Sequence, residues 1–199
     1  RDTSVTGVQT CALPILLALP QSLAILLFIP LFDLAIYWQH RLFHVVPWLW
    51  RLHRVHHADP DFDVSTGIRF HPVSIVLSML IKMAVVVLLG PPAIAVLLAE
   101  ILLNVTSMFN HGNIGIPPRV DAVLRLILVT PDMHRVHHSC EQDETNSNFG
   151  FNFPWWDRIF GSYRAQPRKG HLGMEIGIRG LQDIEQQRLD RLLLQPLER

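Results

Sequence analysis

The sequence between residues 73 and 109 reads VSIVLSMLIKMAVVVLLGPPAIAVLLAEILLNVTSMF. Its two apolar runs, Val73 to Leu89 and Ala93 to Phe109, approach the roughly 20 residues that cross the hydrocarbon core of a bilayer. Only Gly90-Pro91-Pro92 separates them. Because proline cannot continue a helix and glycine permits a turn, the chain is expected to reverse direction there. The pattern predicts a transmembrane helical hairpin.

A third apolar run, Leu16 to Ile36, precedes the hairpin and is interrupted only by Gln21, Ser22 and Asp33. One crossing before the hairpin and two within it place residues 40–71 and 111–199 on the same side of the membrane. Arginines concentrate in these segments, whereas the tip of the hairpin carries no charge. The positive-inside rule therefore predicts that this side is cytoplasmic.

We therefore predict an all-α fold, a helical integral membrane protein with a transmembrane hairpin and a cytosolic, histidine-rich helical cap. The alternative is a soluble helical protein with unusually apolar core helices. Residues 1–15 resemble a translated sequencing adapter, so they are interpreted as an artefact or a disordered arm. The predicted domain is residues 16–199, with its natural N-terminal part missing if the artefact interpretation is right.

Charge and cysteine content exclude several classes of protein. Basic and acidic residues number 17 each, so no basic surplus is present to bind nucleic acid. Charged residues make up 17% of the chain, below the roughly 25% of soluble domains. The two cysteines, Cys11 and Cys140, are too few for a disulfide framework or an iron–sulfur cluster.

Histidine is the unusual component, with 11 residues in the chain, most of them in short clusters. Residues at positions i, i+3 and i+4 share one face of a helix, so HxxxH and HxxHH each direct two or three imidazoles towards a common point. Neutral imidazole binds Zn, Cu, Fe and Ni, and the pattern does not select among them. So many imidazoles predict a dimetal site with positions left for other ligands. The clusters are His40-Arg41-Leu42-Phe43-His44, His53-Arg54-Val55-His56-His57, Asn110-His111-Gly112-Asn113 and His134-Arg135-Val136-His137-His138.

Two other features carry predictions. His71, just before the outgoing helix, is either a further ligand or a structural residue, whereas His171 lies in a polar, glycine-flanked stretch and is assigned to the surface. Lys82 and Glu100 lie at matching distances from the turn, about 12 Å at 1.5 Å per residue, which predicts an ion pair within the membrane. The alternative is that Lys82 reaches a lipid headgroup and Glu100 is protonated.

The order of the clusters around the hairpin resembles the fatty acid hydroxylase superfamily, which includes the sterol desaturases. Flanking residues add to the resemblance, which covers residues 30 to about 195 and is carried by Asp33, Tyr37-Trp38-Gln39, Pro47-Trp48-Leu49-Trp50, Asn148-Phe149-Gly150 and residues 156–163. Some members have a second histidine four residues before or after the lone one, where this chain has Ser107 and Gly115. The resemblance implies that the iron ligands are His40, His44, His53, His56, His57, His111, His134, His137 and His138.

The resemblance further implies a membrane-bound, non-haem diiron oxygenase that uses O2 as co-substrate. It would hydroxylate or desaturate a lipid, whether a sterol, fatty acyl chain, carotenoid or ether lipid. Because the sequence lacks a GxGxxG motif and iron–sulfur cysteines, electrons are expected from a separate ferredoxin- or cytochrome b5-like carrier with a reductase. Since only neutral imidazole binds metal, activity is predicted to fall below about pH 6.

Two other classes compete with this interpretation. The first is a non-oxygenase membrane metal protein, such as a zinc-dependent hydrolase or a metal carrier, which the histidine pattern alone permits. The second is a haem-bearing electron-transfer subunit, which adjacent pairs such as His56-His57 disfavour because haem needs single histidines on facing helices. Metal analysis combined with O2 consumption separates these classes.

Overall fold

The structure is a computed structural model that describes Leu16 and residues 18–198. The suspected artefact at residues 1–15 lies outside these residues. The described part contains helices and turns without a β-strand, in agreement with the predicted all-α class. Its α-helices, in chain order, are α1 Gln21–Val45, α2 Pro47–His57, α3 Pro72–Leu89, α4 Ala93–Asn110, α5 Pro118–Leu124, α6 Pro131–His137, α7 Gln142–Thr145, α8 Trp155–Ile159, α9 Gly170–Gly173 and α10 Leu189–Leu194, with short 3-10 helices at Val64–Ile68, Ile184–Gln187 and Gln195–Leu197.

Helices α1, α3 and α4 are long and apolar enough to cross a membrane, as the sequence predicted. The first differs from the predicted run in its limits. It begins after Pro20, which occupies the N-cap position, and it continues beyond Ile36 as far as Val45. It stops there because the next helix begins at Pro47, and a residue before proline avoids the helical conformation. The first histidine cluster therefore lies on the same helix as the first span.

The predicted hairpin is present, and Gly90 forms its turn. Gly90 ends α3 in the left-handed conformation, with φ of 58°, which glycine adopts without steric cost. Many apolar side chains of α3 and α4 are more than half exposed, among them Met83, Val87 and Val105. A surface of this kind requires a lipid environment rather than water.

Helix α1 packs against both arms of the hairpin. Phe28, Phe32 and Ile36 on α1 form a buried core with Ala95 and Ala99 on α4. The alanines lie four residues apart, and such small residues allow membrane helices to approach closely. This packing fixes the depth of α1, and with it the first two histidines, relative to α4.

The predicted ion pair between the hairpin arms is confirmed. Nζ of Lys82 lies 2.8 Å from Oε1 and 2.8 Å from Oε2 of Glu100. Their side chains are 14% and 32% exposed, respectively. An isolated charge at this depth costs roughly 2.5–3.5 kcal/mol on insertion scales, so mutual neutralisation favours the pair.

The segment after α4 forms a set of short helices that covers the ends of α1 and α2. One of them, α5, ends at Leu124, although the apolar stretch of the sequence continues to Val129. Arg125 turns the chain there: its buried guanidinium pairs with Asp121 and donates a 2.8 Å hydrogen bond to the carbonyl of Ala165. The hydrogen bond to Ala165 ties the end of α5 to the C-terminal part of the chain.

Candidate metal centre

The four histidine clusters lie on four separate elements that meet at one place. His40 and His44 lie near the end of α1, and His111 immediately follows α4. The two HxxHH clusters occupy α2 and the end of α6. Eight of the nine residues are buried; His44 is partly buried, but both of its ring nitrogens are shielded from solvent. The structure thus brings together all nine histidines that the sequence singled out.

The nine imidazoles form two groups, within each of which the candidate ligand nitrogens lie within 4.8 Å of one another. The groups adjoin, because the rings of His57 and His138 stack with their centroids 4.4 Å apart. The first group is His40, His44, His53, His57 and His137, and the second is His56, His111, His134 and His138.

Each HxxHH cluster is divided between the two groups, which differs from the common point predicted for each cluster. The i and i+4 members stay together, so His53 and His57 join the first group and His134 and His138 the second. The i+3 members cross over: His56 joins the second group and His137 the first. On a helix, i+3 and i+4 lie on opposite sides of residue i, about 100° apart, so one pentapeptide can serve two ions.

Hydrogen bonds fix the tautomer of four of these histidines. Each places Nδ1 against a backbone carbonyl, and because a carbonyl only accepts, Nδ1 carries the hydrogen. A neutral imidazole carries one such hydrogen, so Nε2 is left with its lone pair. The four bonds are His40 to Phe149 at 2.9 Å, His56 to Arg69 at 3.3 Å, His111 to Ser107 at 2.7 Å and His137 to Ser147 at 2.7 Å.

The Nε2 lone pairs of these histidines face one another in both groups. Nε2 of His40 lies 3.0 Å from Nε2 of His137, and Nε2 of His56 lies 3.2 Å from Nε2 of His111. Two acceptors at this distance repel unless a cation lies between them. Two nitrogens bound side by side at about 2.1 Å from one metal ion are themselves about 3 Å apart. The arrangement therefore fits metal ions.

Other ring nitrogens in the site point to the same conclusion. Both nitrogens of His44, His57 and His138 are buried without a hydrogen-bond partner among the described residues. Buried polar atoms in native proteins nearly always have partners, so six in one site call for a ligand that the imidazoles can bind. Both groups consist of imidazole alone. Such donors suit transition metals and not Mg²⁺ or Ca²⁺, which prefer oxygen.

Burial lowers the pKa values of the histidines that lie outside the membrane spans. It lowers the pKa of His111 to about 4 and places the pKa of His56 and of His137 well below the usual 6.5, with neighbouring imidazoles lowering them further. The folded protein thus keeps these imidazoles neutral, the form that binds metal. This moves the expected loss of metal to lower pH than the sequence predicted.

We expect metal loss on acidification to coincide with unfolding. Between pH 6.5 and about 4 the unfolded chain takes up protons that the folded chain does not, so the free energy of unfolding of the metal-free protein falls as the pH falls through this window. Metal content and helical circular dichroism, measured across this range on purified protein, should decrease together. Release of metal at pH 6 with the helical signal intact would contradict the assignment of these imidazoles as the ligands.

Asp33 and Asp157 support the first group from behind, a role that the sequence analysis did not assign. The carboxylate of Asp33 accepts hydrogen bonds from the backbone N–H groups of Asn152 at 3.0 Å and Phe153 at 3.2 Å. That of Asp157 accepts 2.8 Å bonds from the N–H groups of Phe149 and Gly150. Together they hold the loop 149–153, whose Phe149 carbonyl orients His40. The sequence signal for this role was that Asp33 is a single acidic residue within an apolar run.

Asn148 has a similar role for His137, another histidine whose Nδ1 is held by a backbone carbonyl. Its side-chain amide donates to the carbonyls of Met133 and Arg164, at 2.9 and 2.8 Å, and its oxygen accepts from the N–H of Arg164 at 2.8 Å. These bonds hold its backbone in the left-handed region, with φ of 51°. The preceding residue, Ser147, thereby presents its carbonyl to His137.

The two remaining histidines lie outside both groups. His71 is the N-cap of α3, where its Nδ1 accepts a 3.2 Å hydrogen bond from the N–H of Val73. Its Nε2 lies 3.3 Å from the carbonyl of Leu193, so both ring nitrogens have structural partners. His171 lies in α9 and is partly buried rather than fully on the surface.

A cavity of about 230 Å³ leads from the histidines into the region of the spans. It lies between α1, α3 and α4, and His40, His53 and His56 line it at one end. Most of its wall is apolar, including Ile36, Phe43, Phe70, Met79 and Leu103. Its composition suits a hydrocarbon chain, and its position brings such a chain to the two groups.

Comparison with known proteins points in the same direction. The family described as fatty acid hydroxylase matches residues 25–162 of the chain. Ornithine lipid hydroxylase OlsE of Rhizobium tropici is 30% identical over 161 residues, which are 81% of this chain and 47% of that protein. Human alkylglycerol monooxygenase is 31% identical over 155 residues, or 78% of this chain and 34% of that protein.

A third relative is human cholesterol 25-hydroxylase, 31% identical over 138 residues, which are 68% of this chain and 49% of that protein. The chain thus spans about half or less of the length of these curated relatives. No solved structure matches the chain significantly. The matched region contains the hairpin and all nine clustered histidines.

Proposed function

The chain belongs to the fatty acid hydroxylase family, and from this premise we propose that it hydroxylates an unactivated C–H position of a membrane lipid, with two iron ions and O2. The observation that carries the proposal is that two Nε2 lone pairs face each other within each group of histidines. The Nε2 atoms of His40 and His137 lie 3.0 Å apart, and those of His56 and His111 lie 3.2 Å apart. The relatives are named hydroxylases and monooxygenases, which favours hydroxylation over desaturation.

The residues that would hold the metal are the nine histidines, five in one group and four in the other. Bound iron would supply the activation of O2 that an unactivated C–H bond requires. The carbonyls of Phe149, Ser147, Ser107 and Arg69 fix the tautomers from the outer side, so the histidines present nitrogen lone pairs inward without rearrangement.

The protein's own contribution is to position the lipid and to exclude water. The ring of Phe70 stacks on His56, with centroids 4.4 Å apart, and Phe62 lies 4.9 Å from His138. The apolar cavity between α1, α3 and α4 places a hydrocarbon chain against His40, His53 and His56. Holding the substrate in a fixed orientation in a dry site limits competing oxidation.

We propose that the electrons come from a separate carrier, either ferredoxin-like or cytochrome b5-like with its reductase. The two cysteines of the sequence cannot hold an iron–sulfur cluster. Arginines such as Arg41, Arg51 and Arg158 belong to the histidine-bearing segments and favour an acidic partner. The same arginines support a cytoplasmic position for the metal site.

Metal content and oxygen consumption test the function together. The chain is purified in detergent, its metals are counted by mass spectrometry, and O2 uptake is followed with a reduced carrier and total membrane lipid. We expect two iron atoms per chain and a lipid product heavier by one oxygen atom. A chain that retains zinc and consumes no O2 would instead support the hydrolase or metal-carrier alternative, and a product lighter by two hydrogens would indicate desaturation.

A further inference from the structure

One wall of the cavity that reaches the histidines is polar. On α3, Ser74, Ser78 and Lys82 recur every four residues and so share one face, and Asn104 on α4 lies in the same wall. A hydrocarbon chain alone needs no such groups. Polar side chains at membrane depth are costly and mark sites that bind something polar.

The hydrogen bonds made by Lys82 and Asn104 leave donors and an acceptor free. Lys82 donates to both oxygens of Glu100, each at 2.8 Å, and its ammonium has a third N–H. The amide nitrogen of Asn104 donates a 2.7 Å bond to the backbone carbonyl of Glu100. Within the described chain, the side-chain oxygen of Asn104 accepts no hydrogen bond. Lys82 bonds to the carboxylate of Glu100 and Asn104 to its backbone carbonyl, and both residues line the cavity, so their free groups are available to a ligand in the same cavity.

The charge of the wall selects a neutral ligand. The carboxylate of Glu100 already neutralises Lys82, and the other polar members, Ser74, Ser78 and Asn104, are uncharged. A carboxylate or phosphate would meet no surplus positive charge and would lie close to Glu100. An amide or a hydroxyl group, which both donates and accepts, matches the free donors and the free acceptor.

The wall lies at a fixed distance from the histidines. Ser74 and Lys82 are eight residues apart on α3, which corresponds to about 12 Å along the helix axis. His53, His56 and Ser74 line the same cavity as Lys82. A group bound at Lys82 therefore determines which carbon of an attached chain reaches the imidazoles.

We propose that Lys82, Glu100 and Asn104 form a subsite that binds the neutral amide or hydroxyl group of the lipid and thereby selects the carbon that is presented to the metal site. The role in carbon selection rests on the proposed function, but binding to the subsite does not. The subsite is thus a specificity determinant at membrane depth, separate from the metal ligands.

Binding of a matched lipid series tests the subsite without turnover. The full chain in nanodiscs is titrated calorimetrically with the N-methyl amide, alcohol, methyl ester and free acid of one acyl chain. Since one additional hydrogen bond is gained, the amide and the alcohol should bind about fivefold more tightly than the methyl ester. Tightest binding of the free acid, or equal binding of amide and ester, would overturn the proposal.

Variants of the subsite residues test which side chains cause the difference between amide and ester affinity. In Asn104→Leu, and in the double variant Lys82→Met with Glu100→Gln, the ratio of amide to ester affinity should fall to about one. Met83→Leu, next to Lys82 but on the exposed side of α3, should keep the wild-type ratio. An unchanged ratio in folded Asn104→Leu would overturn the subsite, and if the variants do not fold, the wild-type ranking still decides. Failure to consume O2 would reject the proposed function and leave this ranking intact.

Discussion

Replacing His137 with alanine should abolish activity and remove most of the bound metal. His137 belongs to the first group, where its Nε2 lies 3.0 Å from that of His40 and its Nδ1 is held by the carbonyl of Ser147. Loss of a residue that merely supports a ligand costs about 10- to 100-fold in metal affinity or activity, so loss of a ligand should cost at least about 100-fold. Metal content and lipid product, measured on purified protein, check this.

Two further variants, one in the second group and one at a histidine outside both groups, test whether this result is specific to the candidate ligands. His56→Ala removes a member of the second group and should have the same effect, because the proposed reaction needs both ions. His71→Asn is the control: it lies outside both groups, and asparagine keeps an N-cap acceptor for α3. Wild-type activity in His137→Ala, or a loss in His71→Asn equal to that in His56→Ala, would contradict the ligand assignment.

Replacing Asp33 with alanine should destabilise the protein by at least about 3 kcal/mol, since each buried donor left without a partner costs about 1–3 kcal/mol. Three donors depend on this fully buried carboxylate: the N–H groups of Asn152 and Phe153 and the indole N–H of Trp156, the last at 2.8 Å. The loop 149–153 would lose its anchor, and with it the carbonyl that orients His40. Thermal unfolding in detergent and metal content should both decrease.

An exposed carboxylate provides the comparison for Asp33. Asp61 lies on the surface between α2 and the following 3-10 helix, so Asp61→Ala should leave the melting temperature and the metal content near the wild-type values. If Asp33→Ala melts at the wild-type temperature with its full metal content, the loop is held by other contacts. That result would show that Asp33 does not support the metal site.

The parts of the fold that follow from local pattern were predictable. Apolar length located the three spans, and Gly90-Pro91-Pro92 located the turn. The contact between Lys82 and Glu100 was predictable because the two residues are equally far along the chain from that turn. Residues at equal distances from the turn of an antiparallel hairpin lie at the same depth. The convergence of the histidine clusters followed from the number of crossings.

Features that depend on three-dimensional packing were not predictable. Periodicity grouped His56 with His53 and His57, and only the approach of α4 and α6 assigns it to the other group. The role of Asp33 depends on a loop about 120 residues away in the chain, a separation that no local pattern encodes. Helix α5 ends early where Arg125 is buried and donates a hydrogen bond to the carbonyl of Ala165, a tertiary contact that outweighs helix propensity.

The division of each group among distant parts of the chain has a consequence for biosynthesis. His40 and His137 face each other across a separation of 97 residues. At about 5–20 residues per second, the ribosome makes the second several seconds or more after the first. In the last part of that interval, after residue 110, the three membrane helices are complete, but neither group of imidazoles is. Loading of the proposed metal centre can therefore be completed only after residue 138 has been made, and a product that stops before residue 131 would be anchored in the bilayer without a complete set of candidate ligands.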